Sequence, residues 1–336
     1  MIQATLSPAS RLRFRISGPM LGLLLVLALF VLLLYRKGQL DTFLSLGNIQ
    51  VLLHTSSVPA VVALGMLLII LSGGIDLSVG SVVALVTVVA MQTYRLLESR
   101  HGPTTASLAA VGAGIGVSGA AGLVNGLAIT RLRVTPFVAT LGMMSIARGL
   151  AYWLSGRRTI SFPGARPAWI VALERSGGGR YLFDPGVWGV FALAAVVAVV
   201  LRYTVFGRYC YAIGSNETAA RLCGVAVERI KVWIYLLAGL LTGWAGILVF
   251  AQASGGDPSS AVGLELDVIA AVVIGGASLS GGQGSVSGTL MGVLILAILE
   301  NGVNVLGVAV EVKYILIGAI VIINTALSQR QRRRGE

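Results

Sequence analysis

Charge is scarce in this chain. Only 11% of its 336 residues are Asp, Glu, Lys or Arg, less than half the ~25% with which a soluble domain wets its surface. Cysteine is limited to Cys210 and Cys223, thirteen residues apart, and histidine to His54 and His101. That spacing matches no zinc pattern, and two thiols make no disulfide framework. No Ser/His/Asp set, His-x-x-x-His pair or Gly-x-Ser-x-Gly elbow is present, so no catalytic constellation is expected. These absences exclude a soluble enzyme, a disulfide scaffold and a metal centre.

Apolar residues and glycine take the place of charge. Hydrophobic residues make up 56%, mean hydropathy is +0.89, and there are 44 glycines. Small residues let membrane helices pack closely. The composition therefore predicts an all-α polytopic membrane protein. Backbone groups in lipid must be satisfied within helices or a closed barrel, and no alternating ten-residue strands are visible. Breaks at Gly, Pro and charge leave ten candidate spans: 19–35, 51–71, 78–97, 106–130, 136–154, 187–202, 230–251, 265–279, 286–306 and 312–328. No small-residue cleavage site follows the first run, so it is read as a retained helix.

The net charge of +12 is read as topology signalling, not as nucleic-acid binding. Both termini and the 202–231 loop are basic, which places them together on the cytoplasmic side. The expected layout is a cytoplasmic tail over 1–18, a transmembrane domain over 19–328 and a basic cytoplasmic tail over 329–336. Within it, residues 155–186 form an external loop and residues 203–229 the largest internal one. Inside that internal loop, Ser215 or Asn216 can cap a short helix and Glu217 suits its N-terminal dipole. Ala219, Ala220 and Leu222 favour helix, and Gly224 can end it.

Leu71–Ser81 and Ile274–Ser285 each place a double glycine and a Leu-Ser pair between two apolar runs. Paired breaks of this kind mark either a repeat with a substrate path or simply two tight turns. Four segments then resemble the ribose/xylose/arabinose-type ABC transporter permeases. They are Gly73–Ser81 (GGIDLSVGS), Phe137–Met144 (FVATLGMM), Ile213–Arg221 (IGSNETAAR) and Glu265–Gly276 (ELDVIAAVVIGG). The resemblance covers about residues 47–326. It implies an ABC importer permease fold and a two-subunit pore for a monosaccharide in the bacterial inner membrane, either homodimer or heterodimer. It also implies a cytoplasmic ABC ATPase and a periplasmic sugar-binding protein as partners. The chain agrees with that division of labour. Its only lysines, Lys37, Lys231 and Lys313, do not follow glycine, so it has no P-loop. No cofactor is expected in this chain, and ATP-Mg belongs to the partner.

Under the resemblance, Gly214, Ser215, Asn216, Glu217, Ala219, Ala220, Arg221 and Gly224 form the segment that couples the ATPase. A plain cytosolic connection is the alternative. The path candidates are Gly73, Gly74, Asp76, Ser78, Asn125, Glu265, Asp267, Glu300, Asn301 and Asn304, with Gln252 a further polar residue in an apolar run. Asp76 either caps the third span, its carboxylate accepting backbone N–H bonds near Ser78, or lines the path or contacts the ATPase. Glu265 and Asp267 either complement a helix dipole or face an aqueous vestibule. Glu300 and Asn304 share a helix face; such groups serve a pore or interhelical hydrogen bonds. Glu300-Asn301 departs from the Asn-Asn pair more usual in the family. The rival class is an ion- or proton-coupled secondary transporter, which would place ionisable groups near the midplane.

Overall fold

The structure, a computed structural model, describes residues 18–164, 166–174 and 182–308, with the single residues 315 and 318. The expected span 312–328 and the two tails lie outside these residues, apart from Gly18, Ile315 and Gly318. Helices dominate: α1 (Gly18–Arg36), α2 (Leu40–Leu44), α3 (Leu46–Leu71), α4 (Val79–Thr130) and α5 (Pro136–Ser155) come first. Then follow β1 (Ile160–Ser161), α6 (Ala168–Glu174), α7 (Pro185–Tyr203), α8 (Val205–Ser215), α9 (Glu217–Leu222), α10 (Val227–Gln252), β2 (Gly255–Gly256), α11 (Leu264–Ile274) and α12 (Val286–Val305). Seven of the described helices, α1, α3, α4, α5, α7, α10 and α12, are long and apolar enough to cross a membrane.

Helix α4 has 52 residues and, if straight, would measure ~78 Å, more than twice a bilayer core. It is broken at Gly102 (φ 75°, ψ 165°), next to Pro103. Its two legs fold back on each other. Gly114 meets Val86 and Ala90, and Asn125 Nδ2 donates to Ser78 Oγ at 3.2 Å. These legs are the expected spans 78–97 and 106–130. The returning leg presents Gly114, Ser118, Gly122 and Gly126 to α10. Gly122 lies on the Tyr235 carbonyl, Gly126 on Val232, and Ser118 Oγ donates to the Gly239 carbonyl at 2.6 Å. Small residues at i, i+4 spacing let the two backbones approach, the usual packing where lipid provides no hydrophobic drive between helices.

The expected span 265–279 is not one continuous membrane-length helix. Helix α11 has 11 residues and rises ~16 Å, about half a bilayer. Before it, residues 253–263 run as non-helical backbone beside α4, with the two-residue strand β2 in it. Gly256 lies against Thr87, Val88 and Met91, and further along the Ala261 carbonyl abuts Gly80. The half-helix starts at Gly263, whose φ of 84° reverses the chain. Glycine breaks at Gly275 and Gly276 end it, and α12 returns with Gly275 pressed on Gly288. The two ends of the bundle are thereby defined. At one, β1 pairs antiparallel with β2. At the other lies α9, together with the start of α1, where Pro19 rests on Gly276.

Candidate functional site

Two arrangements deserve description as a site, and four helices connect them. The first is an open cavity of about 290 Å³ between α3, α10, α11 and α12. Thr55, Ser56, Gln252, Asp267 and Glu300 are its polar lining, and Pro59, Val262, Ala271 and Leu296 are among the apolar residues. Non-helical backbone at membrane depth is tolerated where it lines a cavity or is buried in protein, and the 253–263 segment, through Ala261 and Val262, does the former. Pro59 has no N–H, so the Thr55 carbonyl four residues earlier loses its intrahelical donor. Thr55 and Pro59 are both cavity residues. Asp267 lies in the first turn of α11, where the helix dipole favours a carboxylate.

The second arrangement is a junction at the α9 end, built almost entirely from glycine backbone. Gly214, near the end of α8, sits so close to the Leu71 carbonyl and the Gly282 amide that a Cβ there would overlap both. Gly282 N donates to that Leu71 carbonyl at 3.0 Å. Gly281 packs on Gly214, Gly282 on Ser215, and Tyr211 Oη donates to the Gly284 carbonyl at 2.9 Å. So the two glycine-rich breaks, at 72–78 and 275–285, meet at the loop that carries α9. Gly73 takes φ 80°, a conformation that favours glycine.

Helix α9 is built as its sequence suggests. Asn216 is the cap, its Oδ1 accepting from Ala219 N at 2.9 Å. Gly224 (φ 83°) closes it, and Val225 N returns to the Ala220 carbonyl at 3.1 Å, a Schellman-type stop. Glu217 bridges to Lys231 Nζ at 2.6 Å and to Arg221 at 3.2 Å, and Arg221 also meets Glu228. The hydrogen bond from Lys231, with its charge, holds the Glu217 carboxyl below its ordinary range, against a smaller opposing effect of burial. Ala220 is buried, whereas Ala219 is exposed and Leu222 is 84% exposed. Leu222 lies three residues from Ala219, on the same exposed helix face.

The remaining predicted residues separate. Asp76, 6% exposed, accepts from Ser78 N at 2.7 Å and from Ser78 Oγ at 2.6 Å, and Asn125 reaches that same hydroxyl. These bonds make a local turn ahead of α4, whose N-cap is Ser78 without a side-chain cap bond, and Gly74 lies beside the Tyr235 hydroxyl. Glu265 packs at Gly80 on the first turn of α4. Asn301 makes a reciprocal amide pair with Asn48, both bonds 2.9 Å, which is interhelical hydrogen bonding. Asn304 is exposed on α12 and is not among the cavity residues. Of the path candidates, Asp267 and Glu300 reach the cavity. Thr55, Ser56 and Pro59 were not foreseen, though a proline inside an apolar span was their signal.

Comparison with known proteins accords with this geometry. The model of the family described as "Branched-chain amino acid transport system / permease component" matches residues 48–325. The ribose import permease protein RbsC of Escherichia coli strain K12 is 38% identical over 91% of this chain and 93% of its own. RbsC of Bacillus subtilis strain 168 is 37% identical over 94% and 92%. The L-arabinose ABC transporter permease protein AraH of Azospirillum brasilense is 35% identical over 92% and 87%. No solved structure gives a significant match. With the family model covering far more than half its length, and an apolar helical bundle to match, this chain belongs to that family of multi-pass transporter permeases.

Proposed function

We propose that the chain is the membrane-spanning permease subunit of an ATP-driven importer that carries a monosaccharide, a ribose-like pentose or a hexose, across the bacterial inner membrane. The observation that carries this reading is the 35–38% identity to ribose and arabinose permeases over about nine-tenths of the chain. The cavity suits such a cargo. A sugar's hydroxyls donate and accept together, and Thr55, Ser56, Gln252, Asp267 and Glu300 make the wall polar.

The partners follow from what the chain lacks and what it leaves exposed. A cytoplasmic ABC ATPase holds ATP-Mg and receives α9, with Leu222 and Ala219 seated in its cleft. A periplasmic sugar-binding protein delivers the cargo at the β1 end, and a second permease subunit completes the pore. Both termini lie in the cytoplasm, residues 155–186 outside, and the tenth span over 312–328.

Transport then needs no covalent chemistry. ATP binding closes the ATPase and moves α9. Glu217 and Lys231 tie α9 to α10, and α10 ends at Gln252 in the cavity. Helix α8 presses through Gly214 on the end of α3 and on the α11–α12 break. Of the elements that line the cavity, α8 and α9 touch α3 and α10 directly and the α11–α12 break through Gly281 and Gly282, while α8 also packs on α7. A shift of the junction reaches all of them at once, as a bistable packed core requires.

The test is uptake by a deletion strain complemented with this gene. Labelled ribose, arabinose, xylose and galactose are offered beside leucine, since the family description names amino acids. Restored uptake of one sugar is expected. Restoration of leucine alone would move the cargo to another class.

A further inference from the structure

Arg148 is a cation within the apolar helix α5, a position whose cost in lipid demands an internal partner. Its Nη1 donates to the Pro258 carbonyl at 2.7 Å and to the Ser260 carbonyl at 3.0 Å. A guanidinium nitrogen carries two hydrogens, so that nitrogen is fully used. Both carbonyls belong to the non-helical 253–263 segment, which has no helix to satisfy them. The segment is held upstream by Thr87, whose Oγ1 donates to the Ala84 carbonyl at 2.8 Å and accepts from Asp257 N at 3.1 Å. Asp257 in turn accepts from Ser259 N at 2.9 Å. Downstream, Ala261 and Gly263 take φ of 56° and 84°, so the chain has few ways to reach α11. Ala261 and Val262 then form cavity wall, and Asp267 follows one turn into α11.

We propose that Arg148 is a positioning residue for transport: it pins the 257–263 segment and so sets where α11, Asp267 and the Ala261–Val262 wall stand. The proposal rests on the transport reading above. It makes α5, which contributes nothing to the cavity lining, a determinant of cavity shape. Both bonds leave one nitrogen, so what a glutamine lacks is reach and charge: its amide nitrogen also carries two hydrogens but ends two bonds short of Nη1, whereas a lysine keeps the charge and most of the length.

The experiment uses the full chain with its ATPase in lipid nanodiscs and in proteoliposomes. Hydrogen exchange of amides 254–264 reads the segment without any cargo. In Arg148→Gln it is expected to rise roughly tenfold while amides 217–222 of α9 stay unchanged. In proteoliposomes, maximal uptake should fall roughly tenfold or more per assembled complex, because small displacements at a site are costly. The half-saturating concentration of sugar-loaded binding protein should stay within about twofold. Arg148→Lys should recover part of the rate. A role in folding alone would lower the amount of complex and leave uptake per complex and local exchange as in wild type; that result, also in Arg148→Ala, overturns the proposal. If wild-type complexes carry no sugar while the exchange response holds, the transport reading fails and the pinning stands.

Discussion

Replacing Gly214 by alanine probes the junction directly. A methyl group there would overlap the Leu71 carbonyl oxygen and the Gly282 amide nitrogen. Favourable contact needs ~3.5–4.0 Å between carbon atoms, so α8 must retreat from α3 on the order of 1–2 Å. Neither obstacle is a flexible side chain. The retreat would stretch the 3.0 Å bond from Gly282 N to Leu71 O, worth ~0.5–1.5 kcal/mol, and overpacking adds ~1–3 kcal/mol. The total, ~2–4 kcal/mol, is confined to the contact between α8, α3 and the α11–α12 break. It is too local to unfold a bundle held by the α4–α10 seam. Gly214→Ala should therefore insert at wild-type levels, melt a few degrees lower and keep the ATPase bound, because α9 itself is untouched. Uptake per ATP hydrolysed should fall. Gly224→Ala is the control: its site has open space but φ 83°, so it strains the end of α9 alone. Wild-type melting and wild-type coupling in Gly214→Ala would refute the junction argument.

Three further outcomes follow from the same geometry. Asp76→Asn keeps one acceptor for Ser78 and should retain most transport, whereas Asp76→Ala leaves two donors without it and should cost ~1–3 kcal/mol; thermal melts at matched expression decide, and a stable but inactive Asp76→Asn would restore the path alternative. The Glu217 carboxyl has its folded pKa lowered by Lys231, so its tie to α10 is intact above the ordinary value of 4.5 and is lost as pH falls through the lowered one; exchange of amides 217–222, corrected for intrinsic rate, should be flat from pH 7 to about 5 and rise only on further acidification. Cys223 is exposed, whereas Cys210 is buried with its thiol pushed up to about 12; an impermeant maleimide should label Cys223 in inverted vesicles only, spare Cys210, and label Ser161→Cys from the opposite face.

Much of the fold was legible because its signals are local. Apolar runs set α1, α3, α5, α7, α10 and α12, and the cap and stop around Glu217–Leu222 are written within ten residues. Two things were not. The run 265–279 is as apolar as a span, yet Gly263 before it and Gly275 and Gly276 within it confine the helix to 11 residues. The amphipathic helix α8 was hidden in what reads as a loop, because its partners, Leu71 and Gly282, come from distant elements. The polar residues show the same limit. Spacing pairs Glu300 with Asn304, but packing sends Glu300 to the cavity and leaves Asn304 outside it. Asn301 is taken up by Asn48, a partner that no pattern near either residue announces.

The central claim is that this chain moves sugar under power supplied by ATP at α9. The most direct measurement reconstitutes the permease with its ATPase and binding protein in proteoliposomes and follows labelled sugar on the side that holds ATP. The account predicts accumulation that requires ATP and the binding protein, survives a protonophore and sodium removal, and is abolished when Leu222→Asp charges the exposed face of α9. Accumulation without ATP that collapses with the proton or sodium gradient would contradict it and identify a secondary transporter instead.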